Sequence, residues 1–471
     1  MDSEKNYFPL ATGEGSIVNL EERRTSRRRS VSSIENEVNA HAPSCLKRGS
    51  LTTSIWVLTS VSLGMGVFVQ PKVVARLGYA LGCGLIILFA LITYYSQLLL
   101  LKIVNSKYEA TKKQYSSYSQ VSADLLGNTG FAVNCLTMTL CCLVANAGHF
   151  ATVIQMLHDI ICWYFTGSYD YPFTSTQRCV VLCLLSGFVL PFCISSNDLH
   201  SLRYISTTSV FVCVTLTLSV MFLACKRIYE LGIADGELAV PAFNGNFGDI
   251  LNGAAAICFA YSSVINIVSV NKDIQDTQQP LTQGARAIAF ASSICGFCYA
   301  SLSVVCVLSW GTLCSQFNGN VLYLIPVDEY WVTFWCFALV IAITLLYPVI
   351  NVPMVDNLEM LIMMVVDEPD ANESSIKTFL LRNRRAIISI LGMLAVIVLD
   401  TFITDLADIF GLCGSLGLGT VSMILPATIA LKHRHNLAKI HWLGAGLVLI
   451  VGLVITFGSS ISIITALLGL N

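Results

Sequence analysis

The chain has 471 residues, 55% of them hydrophobic and only 12% charged, with a mean hydropathy of +0.70 and a formal net charge of −2. Soluble proteins carry about twice that share of charge, so the composition places this chain in lipid. It excludes a nucleic-acid binder, because the basic residues form no groove-lining pattern beyond one short tail. Eighteen cysteines would suit a disulfide scaffold, but most stand in apolar runs (Cys83, Cys135, Cys141, Cys142, Cys183, Cys213, Cys258, Cys295, Cys298). There cysteine behaves as a small buried hydrophobe. No Cys/His set has metal-ligand spacing outside an apolar helix, so neither a metal nor another cofactor is expected. Cys162 and Cys179 flank one predicted outer loop, which leaves a disulfide there open.

Residues 1–50 are polar and charged throughout and read as a basic, disordered cytosolic tail ahead of a membrane domain over 51–471. No signal peptide is recognisable, so the chain is expected to start in the cytosol and insert by its own first span. The stretch "RRTSRRRS" offers two Arg-Arg-x-Ser sites, at Ser26 and Ser30, where a phosphate would cancel basic charge. Unphosphorylated, the cluster can hold the tail against anionic lipid, or act only as a topology signal. "YFPL" (Tyr7 to Leu10) resembles a tyrosine-based sorting signal read by an adaptor.

A membrane-spanning helix needs about 20 apolar residues. Eleven segments qualify, near 53–76, 80–103, 131–156, 179–196, 204–225, 248–269, 287–311, 331–351, 386–403, 406–430 and 441–466. With the N-terminus inside, 22 of the 27 Lys and Arg residues fall on cytosolic segments. Only Lys72, Arg76, Arg178, Lys226 and Arg227 fall opposite, an asymmetry that puts the C-terminus outside. The expected fold is all-α. Eleven spans divide as five, five and one, and an odd five forces the second set to run opposite to the first. That is the arithmetic of an inverted repeat, here about 53–225 and 248–430, with an extra helix at 441–466. Such folds interrupt the leading helix of each half, helices 1 and 6, around a midplane site.

Both expected interruptions are legible. In the first span, "SLGMGVFVQPKVVARLG" (Ser62 to Gly78) puts Gly64 and Gly66 on either side of Met65, with Pro71 following. Glycine leaves helical φ/ψ at low cost, and Pro71 can start or kink the outer half-helix. N–H groups freed after Gly64 would point at a carboxylate. The sixth span reads "ICFAYSSVINIVSV", and carbonyls freed near Phe259, Tyr261 and Ser262 would accept from an ammonium group. Together these complement a zwitterion without a charged side chain. Helix packing or a plain kink is the alternative for the glycines.

The spacing of Gly64, Gly66, Pro71 and Gly78 resembles the first helix of the amino acid/auxin permeases, and is closest to the vesicular inhibitory amino acid transporter branch. The resemblance continues through "FAYSS" and "QQP" (Gln278 to Pro280), "LLYPVINVPMVDNLE" (Leu345 to Glu359) and "GLCGSLGLGTVSMILP" (Gly411 to Pro426), covering most of 51–467. It implies an eleven-helix secondary transporter of amino acids. Lys72, where the family usually has an aromatic or apolar residue, is a departure. With Arg76 on the same face it forms a basic vestibule, or the two side chains snorkel to the interface.

Few membrane residues are able to couple an ion. Asp356 and Glu359 match a pair of glutamates in the vesicular relatives and read as an intramembrane proton site, or as acids on a cytosolic interfacial helix. His149 titrates near the pH of acidic organelles, or is a packing residue. A sodium site would want adjacent hydroxyls in span eight, and "IAITLLYP" offers Thr344 alone, which favours a proton. Asp400, Asp405 and Asp408 crowd a short outward loop and read as a solvated turn. The glycosylation triplet at Asn372 falls on the cytosolic side of this topology.

The sequence therefore reads as a proton-coupled or exchange-type amino acid transporter of an endosomal, lysosomal, vesicle or plasma membrane. A non-transporting amino-acid receptor using the same pocket is the rival; no nucleophile–base pair supports an enzyme. The charge asymmetry yields the first prediction. An epitope tag at the C-terminus will be reached by antibody only from the extracellular or lumenal side. Labelling from the cytosolic side of sealed vesicles would contradict the eleven-span topology.

Overall fold

The computed structural model describes residues 49–64, 66–115, 117–166, 174–195, 203–275, 277, 279–316, 321–324, 330–365, 379–381, 383–402 and 406–467. Tyr7 to Leu10, Ser26, Ser30, Met65, Asn372 and Asp405 lie outside the described residues. Every regular element among those described is helical.

The first span is two helices, α1 (Leu51–Ser62) and α2 (Gly66–Leu77), bent by 55°. Ser50 starts α1, its hydroxyl accepting from the Thr53 N–H at 3.2 Å. The helix stops where Leu63 leaves helical geometry and its N–H donates to Thr59 O. Pro71 lies inside α2, which has already restarted at Gly66. A long α3 (Tyr79–Thr111) returns, followed by the short α4 (Tyr118–Leu126), α5 (Asn128–Thr166), α6 (Ser175–Ser195) and α7 (Arg203–Leu231).

The sixth segment is also interrupted. α8 (Phe247–Ala260) opens on a reciprocal capping box: Asp249 N–H donates to Asn246 Oδ1, and Asn246 N–H donates to Asp249 Oδ2, both at 2.9 Å. A turn over Tyr261, Ser262 and Ser263 separates it from α9 (Val264–Ile274). Then come α10 (Pro280–Trp310), α11 (Tyr330–Val365) and α12 (Arg384–Phe402). The tenth segment joins α13 (Leu406–Leu412), a π-helical stretch Cys413–Ile424 and α14 (Leu425–Lys432). A last segment runs from Lys439 to Leu467 through a second π stretch, Val454–Ser459.

Among the described residues, nine helical segments are long and apolar enough to cross a membrane, ten if α1 and α2 form one span. The molecule is an integral, multi-pass membrane protein. The count differs from eleven at α12, whose ends carry Arg384, Arg385 and Asp400. Two layers of helices meet at α5: on one side it packs on the π stretch of 413–424, on the other on α11 and α12. Helices α2, α8 and the π stretch form the enclosed centre, where most side chains are buried. Cys162 and Cys179 are not joined, and the Cys162 sulfur lies 3.2 Å from His158 Nε2 instead.

The tightest approach in this centre is at Gly414. A Cβ there would stand 1.8 Å from Ala255 O and 3.2 Å from Phe259 N, so the π stretch touches the α8 backbone itself. Gly414→Ala must push these two helices apart. It is expected to destabilise the protein by about 1–3 kcal/mol, the usual cost of overpacking. A lowered thermal midpoint of the detergent-solubilised protein is the readout, and an unchanged midpoint would contradict the contact.

Candidate functional site

The two helix interruptions face each other. Ser262 Oγ donates to Val61 O at 2.8 Å, tying the turn after α8 to the end of α1. The Tyr299 hydroxyl of α10 lies 2.6 Å from Ser62 O and 2.9 Å from Ala260 O, the last carbonyls of α1 and α8. One phenolic proton thus serves two carbonyls that have lost their helical partners. Tyr261 packs edge-on against Tyr299 and donates to Ile86 O of α3 at 3.1 Å. Ser263 receives the amide of Gln97 at 2.8 Å, a second tie between the turn and α3.

A cavity of about 260 Å³ lies beside this crossing. Ser62, Gly64, Gly66, Phe259 and Ser262 line it at the interruptions, and His149 lines it from α5. It continues along the whole inner run of α1 to Gly49 and along α9 to Asp273, while α2 beyond Gly66 and α8 before Phe259 contribute nothing. The space therefore leads from the interruptions toward the side that the charge asymmetry assigns to the cytosol. At the other end the Phe259 ring stacks on Phe410, with centroids 4.3 Å apart and planes 17° from parallel. Gly66 is the narrowest point between the two interruptions: a Cβ would come within 3.1 Å of both Ala260 Cα and Cβ.

The cavity holds little charge. Its titratable lining groups among the described residues are His149, the thiols Cys141 and Cys142, and, at the mouth, Asp273. His149 Nδ1 is 2.6 Å from Ala145 O. A carbonyl only accepts, so Nδ1 carries a hydrogen, and in the neutral ring Nε2 is left as an acceptor. Leu346, Val349 and Ile350 of α11 form an apolar wall, and Asn266 and Ser269 put polar atoms along α9.

Several expected residues stand elsewhere. Tyr261 is buried behind the crossing and does not line the cavity. Thr344 turns its hydroxyl back to Val340 O at 2.7 Å. Asp356 and Glu359 join α11 to α12: Arg385 donates to Asp356 Oδ1 at 2.7 Å and to Glu359 Oε2 at 2.6 Å, and Arg384 Nε donates to Glu359 Oε1 at 2.6 Å. Neither lines the cavity, whose α11 residues end at Ile350. Lys72 is 3% exposed inside the packing around α2 and Arg76 is half-buried, and neither residue lines the cavity.

Comparison with known proteins decides the class. Residues 47–465 match the family model described as transmembrane amino acid transporter protein. The chain belongs to that family. It is also similar to an Arabidopsis thaliana protein named amino acid transporter AVT6E, 21% identical over 460 residues that cover 90% of this chain and 86% of the relative. Membership makes the protein a transporter and not an enzyme.

In this transporter the sequence reading missed Tyr299, which had no signal beyond being a tyrosine in an apolar run. It also left Ser269 unremarked, although Asn266 and Ser269 stand at the i, i+3 spacing of one helix face. Tyr299→Phe tests the crossing. Removing the hydroxyl leaves two buried carbonyls without their shared donor, a loss of about 1–3 kcal/mol. Substrate affinity is expected to weaken by roughly tenfold, equivalent to about 1.4 kcal/mol, with the protein still folded. Wild-type affinity in Tyr299→Phe would show that the tyrosine only fills space.

Proposed function

We propose that the protein is a secondary transporter that binds an amino acid at the crossing of its two interrupted helices and exposes that site alternately to the two sides of the membrane. The observation that carries this reading is the cavity itself: it starts at both interruptions, follows α1 and α9 to one side and ends beneath the Phe259–Phe410 stack. Irregular backbone in a membrane protein persists where it is enclosed by protein or lines a cavity. Here it does both.

The binding chemistry follows from the backbone. The N-terminal end of α2 at Gly66 supplies N–H groups and the positive end of a helix dipole for a carboxylate. Ser62, Ser262 and Asn266 supply neutral polar atoms nearby. The Ala260 and Ser262 carbonyls already accept from Tyr299 and from Ile265 N–H, so an ammonium group would use their second lone pairs or the other lining oxygens. A near-neutral, mostly apolar lining with a few polar groups suits a zwitterion better than a strongly charged solute. The five-plus-five inverted repeat supplies the motion: α1 and α9 line the open path, and their counterparts α2 and α8 are packed shut. Transport coupled to a proton, or exchange of one amino acid for another, both fit this arrangement. The name of the Arabidopsis relative supports amino acids as the substrate class. No observation favours the receptor reading.

Counterflow in proteoliposomes, in which trapped unlabelled amino acids drive uptake of labelled ones, tests the proposal. Wild-type protein is expected to accumulate label. Gly66→Leu puts a side chain into the gap of 3.1 Å at Ala260 and, at about 1 kcal/mol, favours a continuous helix over glycine. It should lower counterflow more than tenfold, about 1.4 kcal/mol or more, in a protein that elutes and melts as a folded species. Full counterflow by Gly66→Leu would refute the binding site.

A further inference from the structure

The carboxyl group near the end of α12 takes no part in the cavity. Asp400 is 0% exposed, and both of its oxygens are buried without a hydrogen-bond partner. It was expected on a solvated turn; packing of α12 against α5, α6 and α11 encloses it instead. Two other polar atoms at this place share its condition. Arg178, near the start of α6, has a buried Nε with no acceptor, and Tyr347 of α11 has a buried hydroxyl with no partner. Arg178 is the charged group that acts on Asp400; Asp400 and Cys193 are the groups that act on Tyr347; among the described residues no charged side chain of α5 acts on Asp400. The cluster next to them is apolar, with Phe150, Leu182, Met393 and Val396 among its members.

Among the buried polar atoms without a partner in the described residues, the carboxylate oxygens are those of Asp400, and a carboxylate is the group most costly to leave so. Calcium and magnesium need six or more oxygen ligands and zinc four ligands, which Asp400 and Tyr347 do not supply. A water would satisfy hydrogen bonds but leave a buried carboxylate charge that Arg178 does not hydrogen-bond, which costs several kcal/mol per ion. The smallest species that removes the charge is a proton. The geometry points to Asp400 as a proton-binding site of the transporter, separate from the substrate cavity and facing Arg178. The step is a plain transfer: a hydronium ion from the side of the membrane opposite Gly49 gives its proton to a carboxylate oxygen and becomes water, and no electrons move. In the deprotonated form Asp400 draws Arg178 toward it and clamps α6 to α12. In the protonated form the clamp is released. The link to the cavity is short, because Phe150 stacks on Tyr347 with centroids 4.5 Å apart and directly follows His149 in α5. This inference rests on the transport reading for its consequence, and on burial alone for the site.

Two measurements on the full-length protein test it. Dicyclohexylcarbodiimide, which modifies protonated carboxyls in apolar surroundings, is applied to wild-type proteoliposomes across a pH series, and adducts are located by mass spectrometry. Asp400 is expected to carry the adduct, with labelling falling roughly tenfold per pH unit above the midpoint of one titrating proton. Absence of an adduct on Asp400 at every pH overturns the proposal, without any variant that must fold. Next, uptake of a radiolabelled mixture of the protein amino acids is driven by an imposed pH gradient. Asp400→Asn is expected to lose at least nine-tenths of the gradient-driven component, and its residual exchange should not vary with pH. A wild-type pH profile in Asp400→Asn overturns the proposal, as would a structural ion pair whose loss lowers protein yield and leaves the profile unchanged. If wild-type protein shows no counterflow at all, the transport reading fails, while carbodiimide labelling still decides Asp400.

Discussion

Everything in this molecule depends on how it meets the hydrogen-bonding demand of two broken helices in a medium without water. Each interruption frees carbonyl and N–H groups that lipid cannot satisfy. The protein brings both breaks to one place and closes them with side chains from the same crossing. Tyr299 covers the last carbonyls of α1 and α8 together, and Ser262 covers Val61. Because the two breaks share a donor, neither half can shift without disturbing the other. A binding site built at such a junction senses the position of both halves.

This constraint explains the uneven distribution of glycine and charge. Backbone must approach backbone around the breaks, so Gly66 lies against Ala260 and Gly414 against Ala255. Two sets of charged pairs stand away from the breaks. The bridge of Arg384 and Arg385 to Asp356 and Glu359 fastens α11 to α12, and the pairing of Lys113 with Asp124 at 2.8 Å fastens the connection before α4. In that connection burial acts to raise the Asp124 carboxyl, but hydrogen bonds from Lys113 and Tyr115 with the charges of Lys113 and Lys107 outweigh it and hold the group below its ordinary range. A lowered carboxylate is stabilising above its unfolded value, and that contribution is lost as the pH falls through the folded one. The cavity beside the breaks is lined by backbone, hydroxyls, the Asn266 amide, one imidazole, thiols and apolar side chains, with Asp273 only at its mouth.

The two helix layers meeting at α5 divide the work. Residues on one face of α5, Cys141, Cys142, Ala145 and His149, line the cavity, whereas Phe150 belongs to the cluster with Tyr347 and α12. A change of charge or packing on one side therefore reaches the other across a single helix. That adjacency gives the buried carboxyl of α12 a physical route to the cavity.

The sequence by itself determined what local chemistry and composition can determine. Hydropathy located almost every helix, because crossing a bilayer requires a long apolar run whatever its neighbours are. The breaks at Gly64–Gly66 and at Tyr261–Ser263 were legible because glycine and clustered hydroxyls interrupt an apolar period locally. Ser62, Gly64, Gly66, Phe259 and Ser262 stand at these breaks and line one cavity, which His149, singled out for its imidazole, lines as well. Tertiary structure alone decided which polar residues face which partner. Asp356 and Glu359 read from the sequence as either a membrane proton site or acids of an interfacial helix, and only the fold brings Arg384 and Arg385, more than 20 residues later, against them. Lys72 and Asp400 looked solvated because each stands near the end of an apolar run, and only the helices packed around them show that both are buried. Tyr299 carried no local mark, since its role exists only where the ends of two distant helices meet. Periodicity records which face of a helix avoids water; it does not record what the polar atoms on that face touch, and that is set by packing across the chain.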